Sequence, residues 1–340
     1  MLRLPAFELR RPASLGEAVA ALAEAGPRAM VIAGGTDLLP NMKHELFTPA
    51  VVVSLDRVPG LAGIREEEDG TLVIGAMTTI ADVAGSEVVR LRAPALAQAA
   101  SLVSGPQLRR MGTIGGNVLL DTRCQWYNQS YFWRSAVGFC LKKDGTECHV
   151  VPGGTRCVAA SANDTAPPLM TLGARLEIEG PAGRRMAEIN GFYVADGTRN
   201  HRLASGEILV AVHIPPVPAG HRGAYGKLRE RGSIDFPLLG VAVRLDLAEG
   251  GIVERADLVL TALAARPTRV KVAAEMLPGR RIGTADFTTT VGRVADAAYR
   301  QCHTLANLPG DAWWRREVIP VYVRRTLEAA AQGAGPVHHL

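Results

Sequence analysis

The stretch from Asp121 to Pro168 constrains this chain more than any other part of its sequence. It carries Cys124, Cys140, Cys148 and Cys157 within 34 residues, together with Trp126, Tyr127, Tyr131, Phe132, Trp133 and several glycines. It keeps neither the helical nor the strand period. A loop of that length inside a compact domain is either functional or disordered, and aromatic and cysteine content of this kind argues against disorder. Something other than regular secondary structure must therefore order it. Residues 1–12 carry Arg3, Glu8, Arg10 and Arg11 and lack the apolar core of a secretory signal, so a cytoplasmic location is expected. In that setting a local group of cysteines reads as metal or redox chemistry before it reads as disulfides. The spacing is Cys124-x15-Cys140-x7-Cys148-x8-Cys157. Four thiolates are the complement of a cubane iron–sulfur cluster or of a structural zinc. Zinc sites usually pair their cysteines about two to four residues apart. None of these intervals is that short, although His149 could replace a thiol. Cys302 stands alone on a helical segment and reads as a buried thiol.

On either side of this stretch the pattern is regular. Ser14 and Glu17 have the capping-box spacing and open a helix over Leu15–Ala25, which Gly26 and Pro27 close. Apolar runs at 29–33, 51–55 and 72–76 read as strands, and 80–84 and 94–104 as helices, which predicts an α/β layer. From Thr171 onward strand-like runs recur at 174–178, 208–214, 223–228, 239–247 and 256–262. Helices are expected within 268–276, 285–305 and 311–331. At 340 residues the chain is longer than one core usually supports, so two or three subdomains are expected. The expected division is an N-terminal α/β unit over 1–60, a second unit over 61–215 that contains the cysteine segment 121–163, and a C-terminal unit over 216–340. No apolar run is long enough to cross a membrane. The net charge of +5 is spread over scattered arginine pairs such as Arg109–Arg110 and Arg324–Arg325. Nucleic acid requires a clustered basic face, so that class of partner is excluded.

Two glycine turns carry the remaining chemistry. In Val31-Ile32-Ala33-Gly34-Gly35-Thr36-Asp37-Leu38 a strand runs through a tight turn into a helix start. Glycines there let backbone N–H groups approach an anion closely. Hydrogen bonds to a charged group are worth about 1.5–3 kcal/mol each, so three or four could dominate pyrophosphate binding. Thr113-Ile114-Gly115-Gly116-Asn117 is a second such turn, preceded by Gly112. Neither has the glycine spacing of a Rossmann nucleotide fold nor the lysine of a P-loop. Two such turns from separate segments point to one long dinucleotide clasped between subdomains.

This ordered pair of turns resembles the FAD loops of the medium flavoprotein subunits of the xanthine dehydrogenase and carbon monoxide dehydrogenase family. Later segments resemble the same family in the same order: Asn163-Asp164 before Pro168-Leu169-Met170, then Gly206-Glu207-Ile208-Leu209-Val210, then Tyr225 and Lys227 with Arg231. The resemblance implies an α+β fold. Its FAD-binding domain would have two α/β subdomains of the vanillyl-alcohol-oxidase (PCMH-like) type with a cysteine-rich insert, followed by a C-terminal antiparallel sheet and helix subdomain. It also implies roles for individual residues. Val31, Ile32, Ala33, Gly34, Gly35, Thr36, Asp37 and Leu38 would bind the pyrophosphate, and Thr113, Gly116 and Asn117 would meet the other side of FAD. Asp164 would accept hydrogen bonds from its ribose or adenine end, Val103 would pack on the isoalloxazine, and Lys227 would lie near the flavin's polar edge.

In ordinary members of the family the second turn and the acidic residue lie much closer together than the 47 positions between Asn117 and Asp164. The cysteine segment therefore reads as an insert between two FAD contacts. With Asp121-Thr122-Arg123-Cys124, Tyr127-Asn128-Gln129-Ser130 and Trp133-Arg134-Ser135 around it, it resembles the 4-hydroxybenzoyl-CoA reductase branch of the family. That resemblance implies a [4Fe–4S] cluster on Cys124, Cys140, Cys148 and Cys157. It implies an electron relay with no catalytic residue of its own, in which reduced ferredoxin feeds the cluster and then FAD. The electrons would pass to [2Fe–2S] centres on a small subunit and to molybdenum on a large one, where 4-hydroxybenzoyl-CoA becomes benzoyl-CoA. The assembly implied is a dimer of heterotrimers. Two alternatives remain open: the flavoprotein of an oxidative molybdenum hydroxylase acting on an N-heterocycle or aldehyde, and a zinc-stapled scaffold with no redox role.

Overall fold

In the computed structural model, which describes residues 2–338, three sheets succeed one another along the chain. The outermost ends of the first and last predicted units, Met1 and residues 339–340, lie outside the described residues. The first sheet is parallel, with Val51–Ser54 between Glu8–Arg10 and Ala29–Ile32. Its central strand is buried along its whole length, as a strand covered on both faces must be. The helix Leu15–Ala25 lies on this sheet and buries Ala18, Val19, Leu22 and Ala25. The Ser14 hydroxyl accepts the Glu17 N–H at its start, and Gly26 at φ 58° ends it. Glu17 returns the bond to the Ala13 N–H, one residue before the cap.

The second sheet is antiparallel, in the spatial order Ile64–Glu66, Leu72–Gly75, Ile208–Ile214, Arg175–Gly180 and Gly183–Glu188. Its middle strand arrives from far along the sequence, so everything between residues 76 and 174 is an excursion from one sheet. Part of that excursion is helical, at Ile80–Gly85, Glu87–Arg92, Pro94–Leu102, Pro106–Met111 and Ile114–Val118. The remainder is the cysteine segment and the buried helix Ala166–Leu172. The third sheet, also antiparallel, runs Thr268–Arg269, Val253–Thr261, Leu239–Leu247 and His221–Leu228. The helices Ala285–Gln301 and Ile319–Gln332 share a large apolar core with it, while Pro94–Leu102 and Ala166–Leu172 pack on its strands from the second unit. The mixed α/β architecture with an antiparallel C-terminal sheet and helices is therefore as expected. Among the described residues no helix is long and apolar enough to cross a membrane.

Cores do not respect the boundary expected near residue 60. Ala18, Val53, Leu61, Val73, Ile208 and Val210 share one apolar cluster, which ties the first sheet to the second. The cysteine segment is not a pendant lobe of the second unit either. Leu46 of the first unit packs with Cys124, Tyr127, Cys140 and Cys157, and Asn307 of the third accepts the Gln125 N–H at 2.7 Å.

Candidate functional site

The first and second units meet around a cavity of about 520 Å³, within the range of about 300–1,000 Å³ that holds a drug-sized or cofactor-sized ligand. One wall is the end of the strand Ala29–Ile32 and the turn behind it, through Met30, Val31, Ala33, Gly34, Gly35, Thr36, Asp37 and Leu38. A second wall is the other glycine turn, through Gly112, Thr113, Gly115, Gly116 and Asn117. The third is the loop Thr198–His201 with Glu207–Leu209 of the second sheet. Val103, Asp121 and Phe236 are also part of the lining.

The two turns touch, and glycine is what lets them. A Cβ on Gly34 would land on the carbonyl of Met111, so one turn's backbone lies directly against the approach to the other. Gly35 has φ +70°, a conformation that side chains rarely adopt. The N–H groups of Gly34, Gly35, Thr36 and Asp37 make no hydrogen bond among the described residues. Because buried or half-buried backbone donors are almost always paired, successive free donors along one wall make a cradle for an anion. Asp37 would oppose that anion, but Arg123 forms an ion pair with its carboxylate and the Asn41 amide donates to it at 3.1 Å.

The second turn is built differently from what its residue types imply. Thr113 Oγ1 accepts the Gly116 N–H at 3.1 Å, which caps the helix Ile114–Val118. Asn117 Oδ1 accepts the Thr165 N–H at 3.0 Å and the Thr165 hydroxyl at 2.7 Å. These groups line the cavity but also hold the turn to the chain that re-emerges after the cysteine segment. Gly115 has no room for a side chain, since a Cβ there would stand 2.8 Å from Ala76.

Three of the expected contacts do not reach the cavity. Ile32 faces the apolar cluster of Leu38, Met42 and Val52 beneath the first turn. Asp164 and Lys227 bind each other at 3.0 Å, fully enclosed between the second and third units. The Tyr225 hydroxyl donates to the other Asp164 oxygen at 2.8 Å. Burial pushes the Asp164 carboxyl upward, and the Lys227 ammonium and the Tyr225 hydroxyl oppose that shift. Lys227 lies on the edge strand of the third sheet, paired with Gly240, yet it is fully buried and is not a surface lysine. It still acts on the lining, because its Nζ donates to Leu102 O at 2.9 Å. Arg109 donates to Val103 O at 2.8 Å. Two cations thus hold consecutive carbonyls at Val103, just before Ser104 turns into the left-handed region at φ 44°.

The four clustered cysteines come together. Cys124, Cys140, Cys148 and Cys157 are all buried, all free of disulfides, and all line one small cavity with Trp126, Tyr127, Lys142 and His149. Burial pushes the Cys124 thiol up to about 11 and raises Cys157 as well. Among the described residues no three His, Cys, Asp or Glu side chains converge closely enough to grip a single metal ion. The segment is ordered by polar anchors rather than by periodicity. Arg134, almost fully enclosed, donates to His44 O and Glu45 O at 3.3 and 3.1 Å, and its guanidinium stacks near Tyr131 and Phe139. Cys302 is buried in the core of the third unit and does not line this cavity.

Thr198–His201 and Phe236 were not legible as site residues. The first lies in a polar run that reads only as a turn, at Asp196-Gly197, and the second in a loop between strands. Gly197 N–H donates to Cys157 O at 2.8 Å, so this loop forms the partition between the two cavities.

Residues 5–217 match the family described as the FAD binding domain in molybdopterin dehydrogenase, and residues 224–330 match the CO dehydrogenase flavoprotein C-terminal domain. The carbon monoxide dehydrogenase medium chain of Hydrogenophaga pseudoflava is 34% identical over 326 residues, covering 96% of this chain and 97% of its own. The xanthine dehydrogenase FAD-binding subunit of Escherichia coli is 32% identical over 262 residues, covering 77% of this chain and 75% of its own. Among solved structures, the carbon monoxide dehydrogenase of Hydrogenophaga pseudoflava lacking the Mo-pyranopterin moiety superposes with a TM-score of 0.80 at 32% identity. That match covers 98% of this chain and all of the other.

Proposed function

Since this chain belongs to the family of FAD-binding domains in molybdopterin dehydrogenases, we propose that it is an electron-relay subunit whose second cofactor is a [4Fe–4S] cluster held by its cysteine segment. The observation that carries the flavin half is the cavity bounded by both glycine turns, with successive unpaired N–H donors on one wall. Gly34, Gly35, Thr36 and Asp37 would hold the pyrophosphate through their backbones, Val103 would pack on the ring system, and Thr113, Gly116 and Asn117 would shape the opposite wall. Bound FAD supplies a centre that takes up and gives out electrons. The chain's own contribution is to position it and tune its electronics.

The four buried thiols are the matching observation for the cluster. Structural zinc usually draws on cysteines paired about two to four residues apart, a spacing these four lack. Four thiols lining one cavity are the donor set that a [4Fe–4S] cluster takes.

The activity of the whole complex lies with partners: a large subunit carrying molybdenum and a small subunit with [2Fe–2S] clusters, assembled as a dimer of heterotrimers. The similar proteins named above are dehydrogenases, so oxidation of a substrate at the large subunit, with electrons passing outward through the flavin, is the reading the comparisons favour. The thiol-lined cavity favours a second reading, in which reduced ferredoxin supplies electrons for removing the phenolic hydroxyl of 4-hydroxybenzoyl-CoA.

Anaerobic purification of the complex tests all of this. FAD in an acid extract of this subunit, with about four iron and four labile sulfide per chain, is the expected result. FMN in place of FAD would sink the pyrophosphate cradle, and stoichiometric zinc without sulfide would sink the cluster. Turnover with 4-hydroxybenzoyl-CoA and a low-potential donor, set against aldehydes and N-heterocycles with an oxidant, separates the two directions.

A further inference from the structure

One buried cation spans the partition between the two cavities. Lys142 lines the thiol cavity, and only 5% of its side chain is exposed. Its ammonium donates to Asp121 Oδ1 at 2.7 Å and to Thr122 Oγ1 at 2.8 Å, and also to the carbonyl of Gly197. It sits 4.7 Å from the centre of the Tyr127 ring. Asp121 lines the flavin cavity, as do Thr198–His201 just beyond Gly197. Gly197 itself cannot carry a side chain, because a Cβ would stand 2.7 Å from Cys157 Sγ. The Lys142–Asp121 pair is therefore oriented, with its cationic member on the thiol side and its anionic member on the flavin side, in a partition where the backbone meets a cysteine sulfur.

We infer that the Lys142–Asp121 pair sets the difference in reduction potential between the two centres, holding electrons on the cluster side against their passage to the flavin. The physical cause is electrostatic. Reduction adds a negative charge to a centre, a buried cation beside it favours that charge, and a carboxylate beside it opposes it. Few surrounding dipoles reorient to screen such a pair, so its orientation acts at both ends together. Lys142 and Asp121 are positioning and tuning residues in this inference; neither takes up the electron. The inference rests on the cluster reading above.

The test uses the full complex, prepared anaerobically, with K142M, K142R and D121N variants. Iron, labile sulfide and FAD are counted first, and the midpoint potentials of both centres are then titrated by absorbance and low-temperature EPR. In K142M the cluster potential should fall, and in D121N the flavin potential should rise. Each should shift the one-electron exchange between the centres toward the flavin by tenfold or more, which is about 59 mV. K142R, which keeps the charge, should hold the wild-type gap. An unchanged gap in D121N with both cofactors retained overturns the inference, even if K142M has lost its iron. A wild-type chain without iron and sulfide overturns the cluster reading and this inference with it, and the metal count alone distinguishes that failure.

Discussion

At the scale of single residues, the flavin cavity depends on where a side chain cannot be. Gly34 and Gly116 both line it, yet a Cβ on Gly34 would collide with the Met111 backbone, while one on Gly116 would meet only Thr113 Oγ1 at 3.3 Å. Overpacking of a rigid backbone contact costs about 1–3 kcal/mol. Gly34→Ala should therefore weaken FAD binding roughly five- to 160-fold, and Gly116→Ala, which meets no backbone, should weaken it less. Flavin content after gel filtration and equilibrium titration of the deflavinated protein measure both. His201 supplies a pH dependence. It lines the cavity and stacks on Phe192 at 5.6 Å between ring centroids, and burial holds its imidazole below the usual histidine range. Below about pH 6.5 the unfolded chain takes a proton there that the folded chain resists, so stability is present above that range and declines as pH falls through it. His201→Gln should flatten the fall in melting temperature between about pH 7 and pH 5. An unchanged slope would remove His201 as its cause. The glycine turns were legible because close backbone approach leaves a compositional trace. Asp164 and Lys227 were legible as important but not as buried partners, since nothing in a sequence distinguishes a lysine that meets a ligand from one that holds the wall behind it.

Among the elements, the cysteine segment tests how order arises without periodicity. Its helix Tyr131–Val137 exposes Tyr131, Phe132 and Val137, and buries Arg134 instead. Hydrogen bonds from a charged donor contribute about 1.5–3 kcal/mol each, and Arg134 makes two to the backbone of the first unit. Arg134→Met should loosen the segment by about 2–4 kcal/mol, seen as faster proteolysis between residues 131 and 157 while the helical circular dichroism of the rest is kept. Replacing Cys148 by Ser should lower the iron content and alter the EPR signal, because a hydroxyl is a poor substitute for a soft thiolate. Wild-type iron in that variant would mean that another ligand completes the site. Elements with caps or long apolar runs were legible almost to the residue, as at Leu15–Ala25, Ile208–Ile214 and Leu239–Leu247. Those that tertiary contacts impose were not. Gly183–Glu188 is almost wholly exposed and pairs only at a sheet edge, and Ala166–Leu172 is a short helix opened by two prolines. The single helix expected over 311–331 is two, Ala312–Glu317 and Ile319–Gln332, parted at Val318 just before Pro320.

For the molecule as a whole, the flavin cavity is a junction rather than a hollow in one unit, so a ligand that fills it couples all three. Anything that binds only the folded form stabilises it by mass action, about 2.7 kcal/mol at a free concentration one hundred times its dissociation constant. The deflavinated protein should melt at a lower temperature and recover with added FAD but not with FMN. Equal recovery with both would mean that the pyrophosphate end contributes nothing. The same geometry orders events in time. The walls are drawn from residues as far apart in the chain as Met30 and Phe236, and a ribosome delivers residues at about 5–20 per second with N-terminal parts folding first. The two glycine turns can meet while the polypeptide is half made, but the loop Thr198–His201 and Phe236 do not yet exist. Flavin therefore meets a complete cavity only once the polypeptide has been made past Phe236, and a stop codon before that point leaves a product that no supply of vitamin can rescue.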